Sequence, residues 1–237
     1  MTNHCKNCRA AIAGRYCSNC GQATSTARLD LHVVWHDLQH GLLHIHKGIF
    51  YTLRELFLRP GLTIRSYLDG QRIRHFQPLS MMIVLAALYA WLSHLVHRPM
   101  TTHDGIAGTT MAIIVDFVEH HYALAEVILL PVLALCSYLL FRSRGDRYVE
   151  WIVIHAFMAS QRLVVQIVAL PFLSILSSGT AGTVSFIVNM SYLGWATLQL
   201  YPSWRAVPTL LRCCMSMVLT LVVVIVVVGA FVLALDY

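Results

Sequence analysis

Long apolar runs separated by short polar segments dominate the last two thirds of the chain. Spanning the hydrocarbon core of a bilayer takes about 20 residues of helix, at a rise of about 1.5 Å per residue. Runs of suitable length lie near residues 79–96, 122–141, 151–176, 183–201 and 210–235. The pattern therefore predicts an all-α, polytopic membrane domain of about five transmembrane helices over residues 79–237.

The polar-apolar pattern changes before residue 79. Residues 28–78 form amphipathic segments that are too short and too charged to cross a membrane, and we call this region the collar. Pro60 and Gly61 interrupt it, and Gly70 ends its second segment, as helix-breaking and helix-ending residues do. Such segments lie flat at a membrane surface, with arginines toward the lipid phosphates. The arginines expected at lipid headgroups are Arg59, Arg65, Arg72 and Arg74.

The first collar segment, residues 49–58, has a predicted apolar face. The face expected to enter the acyl chains consists of Ile49, Phe50, Leu53, Leu56 and Phe57. Arg54 and Glu55 are expected on the opposite side. This arrangement predicts a helix lying in the plane of the membrane.

Composition supports a membrane protein with a basic end. The chain is 57% hydrophobic and 12% charged, whereas soluble domains are roughly 25% charged. Of its 17 lysines and arginines, ten lie in residues 1–78. Because they are dispersed around the collar, we expect anionic lipid headgroups as their partner and no nucleic acid.

Residues 1–27 contain four cysteines in two C-x-x-C pairs, and we call this segment the head. The pairs are Cys5 with Cys8 and Cys17 with Cys20, and Gly21 follows the second pair. Four thiolates at this spacing predict a closed, structural Zn²⁺ site, and the metal then supplies folding energy that so short a segment cannot obtain from a core. Two disulfides or a redox-active dithiol pair are the alternative.

Motifs in the head and the collar resemble those of one bacterial family. They are C-x-x-C…C-x-x-C-G-Q at residues 5–22, R-P-G at 59–61 and Y-L-x-G-x-R at 67–72. The sequence is similar here to a family of uncharacterised multi-pass membrane proteins. The resemblance implies a zinc-ribbon-like head on a membrane domain, and it implies no substrate or catalytic residue.

Histidines recur every fourth residue in the first part of the collar. They are His32, His36, His40 and His44. This spacing places them along one helix face. The stripe is either the polar side of a helix at the headgroups or a second metal-binding or pH-sensing site.

The loops between the apolar runs predict the orientation. Basic residues lie in residues 1–78, 142–150 and 202–212, and the other connections hold only Arg98. By the positive-inside rule, the N-terminus is cytosolic, and five spans place the C-terminus outside. Together with the resemblance, this predicts a bacterial inner-membrane protein.

Two charged residues fall inside the apolar runs, namely Glu126 and Arg162. Intramembrane charges are candidates for function. They either pair to hold two helices together or line a route for an ion, a proton or a lipid headgroup.

These features favour a non-enzymatic scaffold or regulator whose head docks a cytosolic protein. The alternative is a small transporter or lipid-handling protein that uses Arg162 and Glu126. We expect no enzymatic activity, because the sequence shows no nucleophile and base at a telling spacing.

Overall fold

A computed structural model of the chain describes residues 4–24, 29–30, 48–95, 121–173, 178–202 and 205–235. The α-helices in these ranges are α1 (Ile49–Leu58), α2 (Pro60–Leu68), α3 (Pro78–Leu95), α4 (Tyr122–Leu140), α5 (Tyr148–Leu173), α6 (Ser178–Leu200) and α7 (Ala206–Leu235). No strand occurs among the described residues, although the head has two isolated β-bridges. The predicted all-α class is confirmed.

Helices α3 to α5 run alternately along the bundle. Tyr89, near the end of α3, lies against Tyr122 at the start of α4, with ring centroids 5.3 Å apart. Ser137, near the end of α4, is hydrogen-bonded to His155 near the start of α5 at 2.8 Å. The core of the bundle lies where α3 packs on α5, and Phe157 at its centre is completely buried.

Four of the described helices are long and apolar enough to cross a membrane, namely α3, α4, α5 and α7. The span predicted at 183–201 forms α6, which has 23 residues but is not among the four. Glycines, hydroxyl side chains and Asn189 lower its hydropathy. Even so, α6 runs the length of the bundle, since Ser185 lies beside Gln166 of α5 and Leu200 lies against the collar. Length and composition therefore give four candidate spans among the described residues, where the sequence pattern predicted five.

The collar helices α1 and α2 form a hairpin that packs against the end of α6. Pro60 is the first residue of α2, where its fixed φ suits a helix start. Gly61 is buried, and a Cβ there would lie 2.3 Å from the backbone nitrogen of Leu200 and 2.5 Å from the carbonyl oxygen of Ala196. Only glycine therefore allows α2 to touch the backbone of α6.

The open face of α1 differs from the predicted one. Leu56 and Glu55 are both buried, whereas the side chains of Phe50 and Phe57 are 85% and 56% exposed. Arg54 is exposed as well. Because the inner face of α1 packs on the bundle, the open face combines aromatic and basic side chains.

Three basic segments meet at the collar end of the bundle. Arg65 Nη1 donates to Asp146 Oδ1 at 3.0 Å, and the Tyr201 hydroxyl donates to Oδ2 at 2.7 Å. The Arg144 guanidinium lies 4.7 Å from the centre of the Tyr201 ring. Burial, together with the Asp146 carboxylate, raises the pKa of Tyr201, so its hydroxyl stays a donor. The collar, the connection between α4 and α5, and the connection between α6 and α7 thus lie together.

Candidate functional site

The four head cysteines surround one point. Their sulfur atoms all lie within 4.8 Å of one another. The Cys5 and Cys20 sulfurs are 3.6 Å apart, and those of Cys8 and Cys17 are 3.4 Å apart. A four-residue cluster of thiols is thus assembled from a segment of 16 residues, counted from Cys5 to Cys20.

Each half of the head repeats the same backbone turn. The Arg9 amide donates to the Cys5 carbonyl at 2.9 Å, and the Gly21 amide donates to the Cys17 carbonyl at 2.8 Å. Arg9 and Gly21 are the equivalent residues of the two turns, and both have positive φ, 61° and 76°. Glycine adopts this conformation without steric cost. The turns aim each pair of sulfurs at its counterpart.

The cluster fits a zinc ion. Zinc–sulfur bonds of about 2.3 Å in a tetrahedron place the sulfurs about 3.8 Å apart, close to the observed separations. The cysteines are free, and their sulfurs are too far apart for a disulfide, whose bond is about 2.05 Å long. A hydrogen bond from the Ala10 amide lowers the pKa of the Cys8 thiol to about 6. At Cys17 the backbone hydrogen bonds are outweighed by burial and by the neighbouring thiols, which raise its pKa to about 11. Of these two thiols, Cys8 therefore takes the thiolate form that a metal requires more readily. Cys5, Cys8, Cys17 and Cys20 would hold the ion, and the set of four sulfurs is closed.

Gln22 attaches the head to the collar. Its side chain is 4% exposed. The side-chain Nε2 donates to the Gly70 carbonyl at 2.8 Å, and the Oε1 accepts from the amides of Arg72 and Ile73 at 3.1 and 3.3 Å. Both the nitrogen and the oxygen of this amide group are therefore hydrogen-bonded to one turn of the collar.

An aromatic contact continues from this turn into the bundle. The Arg72 guanidinium lies 5.5 Å from the centre of the Tyr67 ring. Tyr67 in turn packs edge-on against Phe157 of α5, with centroids 5.1 Å apart. Head, collar and α5 are thus in continuous contact through the half-buried Arg72 and the buried Tyr67 and Phe157.

The arginines expected at lipid headgroups have varied surroundings. Arg59 Nε donates to Glu55 Oε2 at 2.6 Å. Arg65 contacts Asp146, and Arg72 contacts the Tyr67 ring, as described above. Arg74 is exposed. Headgroup contact stays a prediction, and Arg74 with the open face of α1 is the region best placed for it.

Glu126 and Arg162 form a two-pronged ion pair between α4 and α5. Arg162 Nε lies 3.1 Å from Glu126 Oε1, and Nη2 lies 2.5 Å from Oε2. The Tyr122 hydroxyl also donates to Oε1, at 2.8 Å. The side chains are 9% and 14% exposed for Arg162 and Glu126. The fork geometry and the third hydrogen bond offset the cost of burying both charges.

Helix α5 also carries buried polar atoms that have no hydrogen-bond partner among the described residues. They are Trp151 Nε1, His155 Nδ1, both amide atoms of Gln161, and Arg162 Nη1. From residue 151 to residue 162 is about 16 Å along a helix. Each such atom costs free energy unless a water molecule or a ligand satisfies it.

The sequence model of one protein family matches residues 47–90, and its description is "protein of unknown function (DUF3667)". The matched segment covers α1, α2 and most of α3, including the R-P-G and Y-L-x-G-x-R motifs. The head lies before it. No curated protein and no solved structure matches the chain.

Sequence reasoning missed the residues that join the regions. Gln22 is part of the motif after the second cysteine pair, but nothing in the sequence shows its distant partners. Asp146 and Tyr201 were also missed. The sequence signal for Asp146 is that it is the one acidic residue in the arginine-rich segment 142–147. The histidine stripe, His32, His36, His40 and His44, lies outside the described residues.

Proposed function

We propose that this chain is a non-enzymatic membrane scaffold or regulator whose zinc-bound head docks a protein partner. The observation that carries the proposal is the closed four-sulfur cluster fixed to the collar by Gln22. A closed zinc site leaves no open position for substrate, so it serves structure and docking. The head is then a rigid platform at the collar end of the bundle.

The head exposes side chains of the kinds that bind other proteins. Tyr16 is 69% exposed, and Arg9 and Arg15 are exposed as well. Tyrosine and arginine are the residue types that most often dominate protein–protein binding energy. The positive charge of Arg9 and Arg15 favours binding to an acidic segment of a cytosolic protein.

The proposed location is a bacterial inner membrane, with the head in the cytosol, the C-terminus outside and the collar on anionic headgroups. The contacts Arg65–Asp146 and Arg144–Tyr201 support it, since they place three basic segments at one end. Cysteine labelling in intact cells tests it in a background without Cys136, Cys213 and Cys214. Ser143→Cys should react only after the membrane is broken and Gly105→Cys before; the reverse pattern refutes the orientation.

The docking proposal is tested by photo-crosslinking in intact cells. A benzophenone amino acid at Tyr16 should capture a protein that also binds the purified chain in a zinc-dependent manner. Replacing Arg15 by Glu should abolish capture, and Cys17→Ser should abolish both capture and zinc binding. Capture that persists in Cys17→Ser would contradict docking through a folded head.

A transporter or lipid-handling protein that uses Arg162 and Glu126 is the second candidate. The specific observation in its favour is the set of buried polar atoms on α5 that have no partner among the described residues. Trp151, His155 and Arg162 share one face of the helix, and Gln161 lies about 100° around it from Arg162. Water molecules beside these atoms would make a polar route through the bundle.

Accessibility of Gln161 distinguishes the second candidate from the first. In the same cysteine-depleted background, Gln161→Cys should react with a small, water-soluble thiol reagent if water reaches the buried polar atoms of α5. Ala159→Cys is the matched control, because Ala159 is completely buried on the same helix and has no polar side chain. Equal protection of both cysteines would remove the route.

A further inference from the structure

Gln22 belongs to the turn that the metal cluster closes. Its carbonyl accepts the Cys17 amide at 2.9 Å, next to the bond from the Gly21 amide to the Cys17 carbonyl. Two of the metal-binding thiols, Cys17 and Cys20, come from this same turn. The position of the Gln22 side chain is therefore set by the geometry that the four sulfurs impose.

The collar turn depends on Gln22 in return. Gly70 has a positive φ of 102°, which directs its carbonyl and the following amides toward the head. The Gly70 carbonyl and the amides of Arg72 and Ile73 all meet the one glutamine side chain. In this joint, Gln22 and Gly70 are buried, whereas Arg72 is half-buried and Ile73 is exposed. Withdrawal of Gln22 therefore removes all three hydrogen bonds and opens the turn to water.

Removal of the metal acts directly on this joint. Four thiol groups within 4.8 Å of one another have no shared ligand once the ion leaves. The head is too small to keep its turns without the ion. The turn that places Gln22 is then lost together with the cluster.

We propose that the head is a zinc-dependent clamp on the collar. With zinc bound, Gln22 holds the turn from Gly70 to Ile73; without zinc, the turn is released. Through the contact of Tyr67 with Phe157, the release reaches α5, the helix that carries Arg162. The inference rests on the zinc site of the proposed function and adds the regulation of that site: the membrane bundle responds to metal loading.

Hydrogen–deuterium exchange on the full-length, detergent-purified protein tests the clamp. Mass spectrometry follows the Arg72 and Ile73 amides before and after zinc is removed with a strong chelator. In the native protein, chelation should speed their exchange about tenfold or more, because their acceptor is lost. In Gln22→Ala these amides should exchange fast with zinc bound, and chelation should add nothing further.

Ser18→Ala is the matched control, since Ser18 lies between the cysteines of the same pair and is exposed. It should behave as the native protein. Gln22→Glu is the second variant: it keeps an acceptor for the two amides but loses the donor to Gly70. It should retain zinc and show exchange between the native and alanine rates.

The outcomes separate the clamp from the zinc site. Slow exchange of Arg72 and Ile73 in zinc-loaded Gln22→Ala overturns the clamp, as does unchanged exchange in native protein after zinc is lost. Neither result contradicts the proposed zinc site of the head. Native protein that binds no zinc overturns the proposed head itself, whatever the exchange rates are.

Discussion

The head and the bundle are stabilised in opposite ways. In the head, local backbone turns bring four thiols together, and its largest aromatic side chain, Tyr16, lies 69% exposed. In the bundle, burial of apolar side chains contributes most of the stability, and Ile154 and Phe157 of α5 are completely buried. A metal ion at this cluster would therefore stabilise the head, whereas the bundle depends on many small apolar contacts that add up.

The comparison shows how polar groups are used on either side of the collar. Polar contacts inside the head join residues close in sequence, such as Arg9 and Cys5. Polar contacts of the bundle join distant residues, such as Arg162 with Glu126 and Arg65 with Asp146. Loss of a head contact is expected to act locally, while loss of a bundle contact should separate elements that the chain places far apart.

Cys17→Ser should have the largest effect, and it tests whether the head and the bundle are stabilised in different ways. Structural zinc contributes about 10–16 kcal/mol to the folding of small zinc peptides, so the head should unfold completely while the bundle keeps most of its thermal stability. Elemental analysis and hydrogen exchange of residues 4–24 measure this. A head that stays protected without metal would show that it has another source of stability.

Glu126→Gln should be the most damaging change within the bundle. It leaves Arg162 buried without its counter-charge, and breaking a buried pair from one side costs about 3–5 kcal/mol. Arg162→Met should cost less, because a carboxyl group can take up a proton whereas arginine stays charged. The double variant should be at least as stable in detergent as either single variant.

Thermal unfolding of the four proteins provides the double-mutant cycle. Strictly additive losses would contradict a coupled pair. Under the transport alternative, the double variant folds but fails to restore whatever phenotype deletion produces.

Gly61→Ala tests whether the collar is joined to the bundle by direct backbone contact. The added Cβ would meet the α6 backbone at 2.3–2.5 Å, and overpacking of this kind costs about 1–3 kcal/mol. Gly182→Ala is the matched control in α6, where a Cβ has nothing within 4 Å. It should leave the melting temperature in detergent unchanged or raise it slightly. Equal behaviour of the two variants would refute the close contact.

The smallest expected effect concerns the two equivalent turns of the head. Gly21→Ala should weaken zinc binding about fivefold, because a Cβ at positive φ costs roughly 1 kcal/mol. Arg9→Gly should leave zinc binding unchanged or strengthen it, since it relieves the same strain in the other turn. Competition with a zinc chelator of known affinity measures both. Equal loss in the two variants would contradict the equivalence of the turns.

Local patterns predicted most of the elements. Run length located α3, α4, α5 and α7, although α5 and α7 begin earlier than predicted, at Tyr148 and Ala206. Cysteine spacing located the four-cysteine cluster, and Pro60 located the break between α1 and α2. These features depend on residues that are neighbours in the sequence, so the sequence displays them.

The joints between elements were not predicted, because their partners are far apart in the sequence. The amphipathic pattern of α1 placed Leu56 with Phe57 toward lipid, but the bundle buries Leu56 and leaves Phe57 exposed. A hydrophobic pattern shows that a face is apolar without showing whether protein or lipid covers it. At α6 the length of the helix suits a membrane span, whereas its composition does not.

The contact between Gly61 and the end of α6 also constrains the order of assembly during synthesis. Gln199, which accepts the Gly61 amide, follows it by 138 residues. At about 5–20 residues per second, the ribosome adds that length in roughly 7–28 s. Throughout this interval the collar hairpin exists without the surface that covers it. The insertion machinery therefore receives a chain whose collar hairpin is covered by a helix made much later, and a chain that stops before residue 199 lacks the side chain that accepts the Gly61 amide.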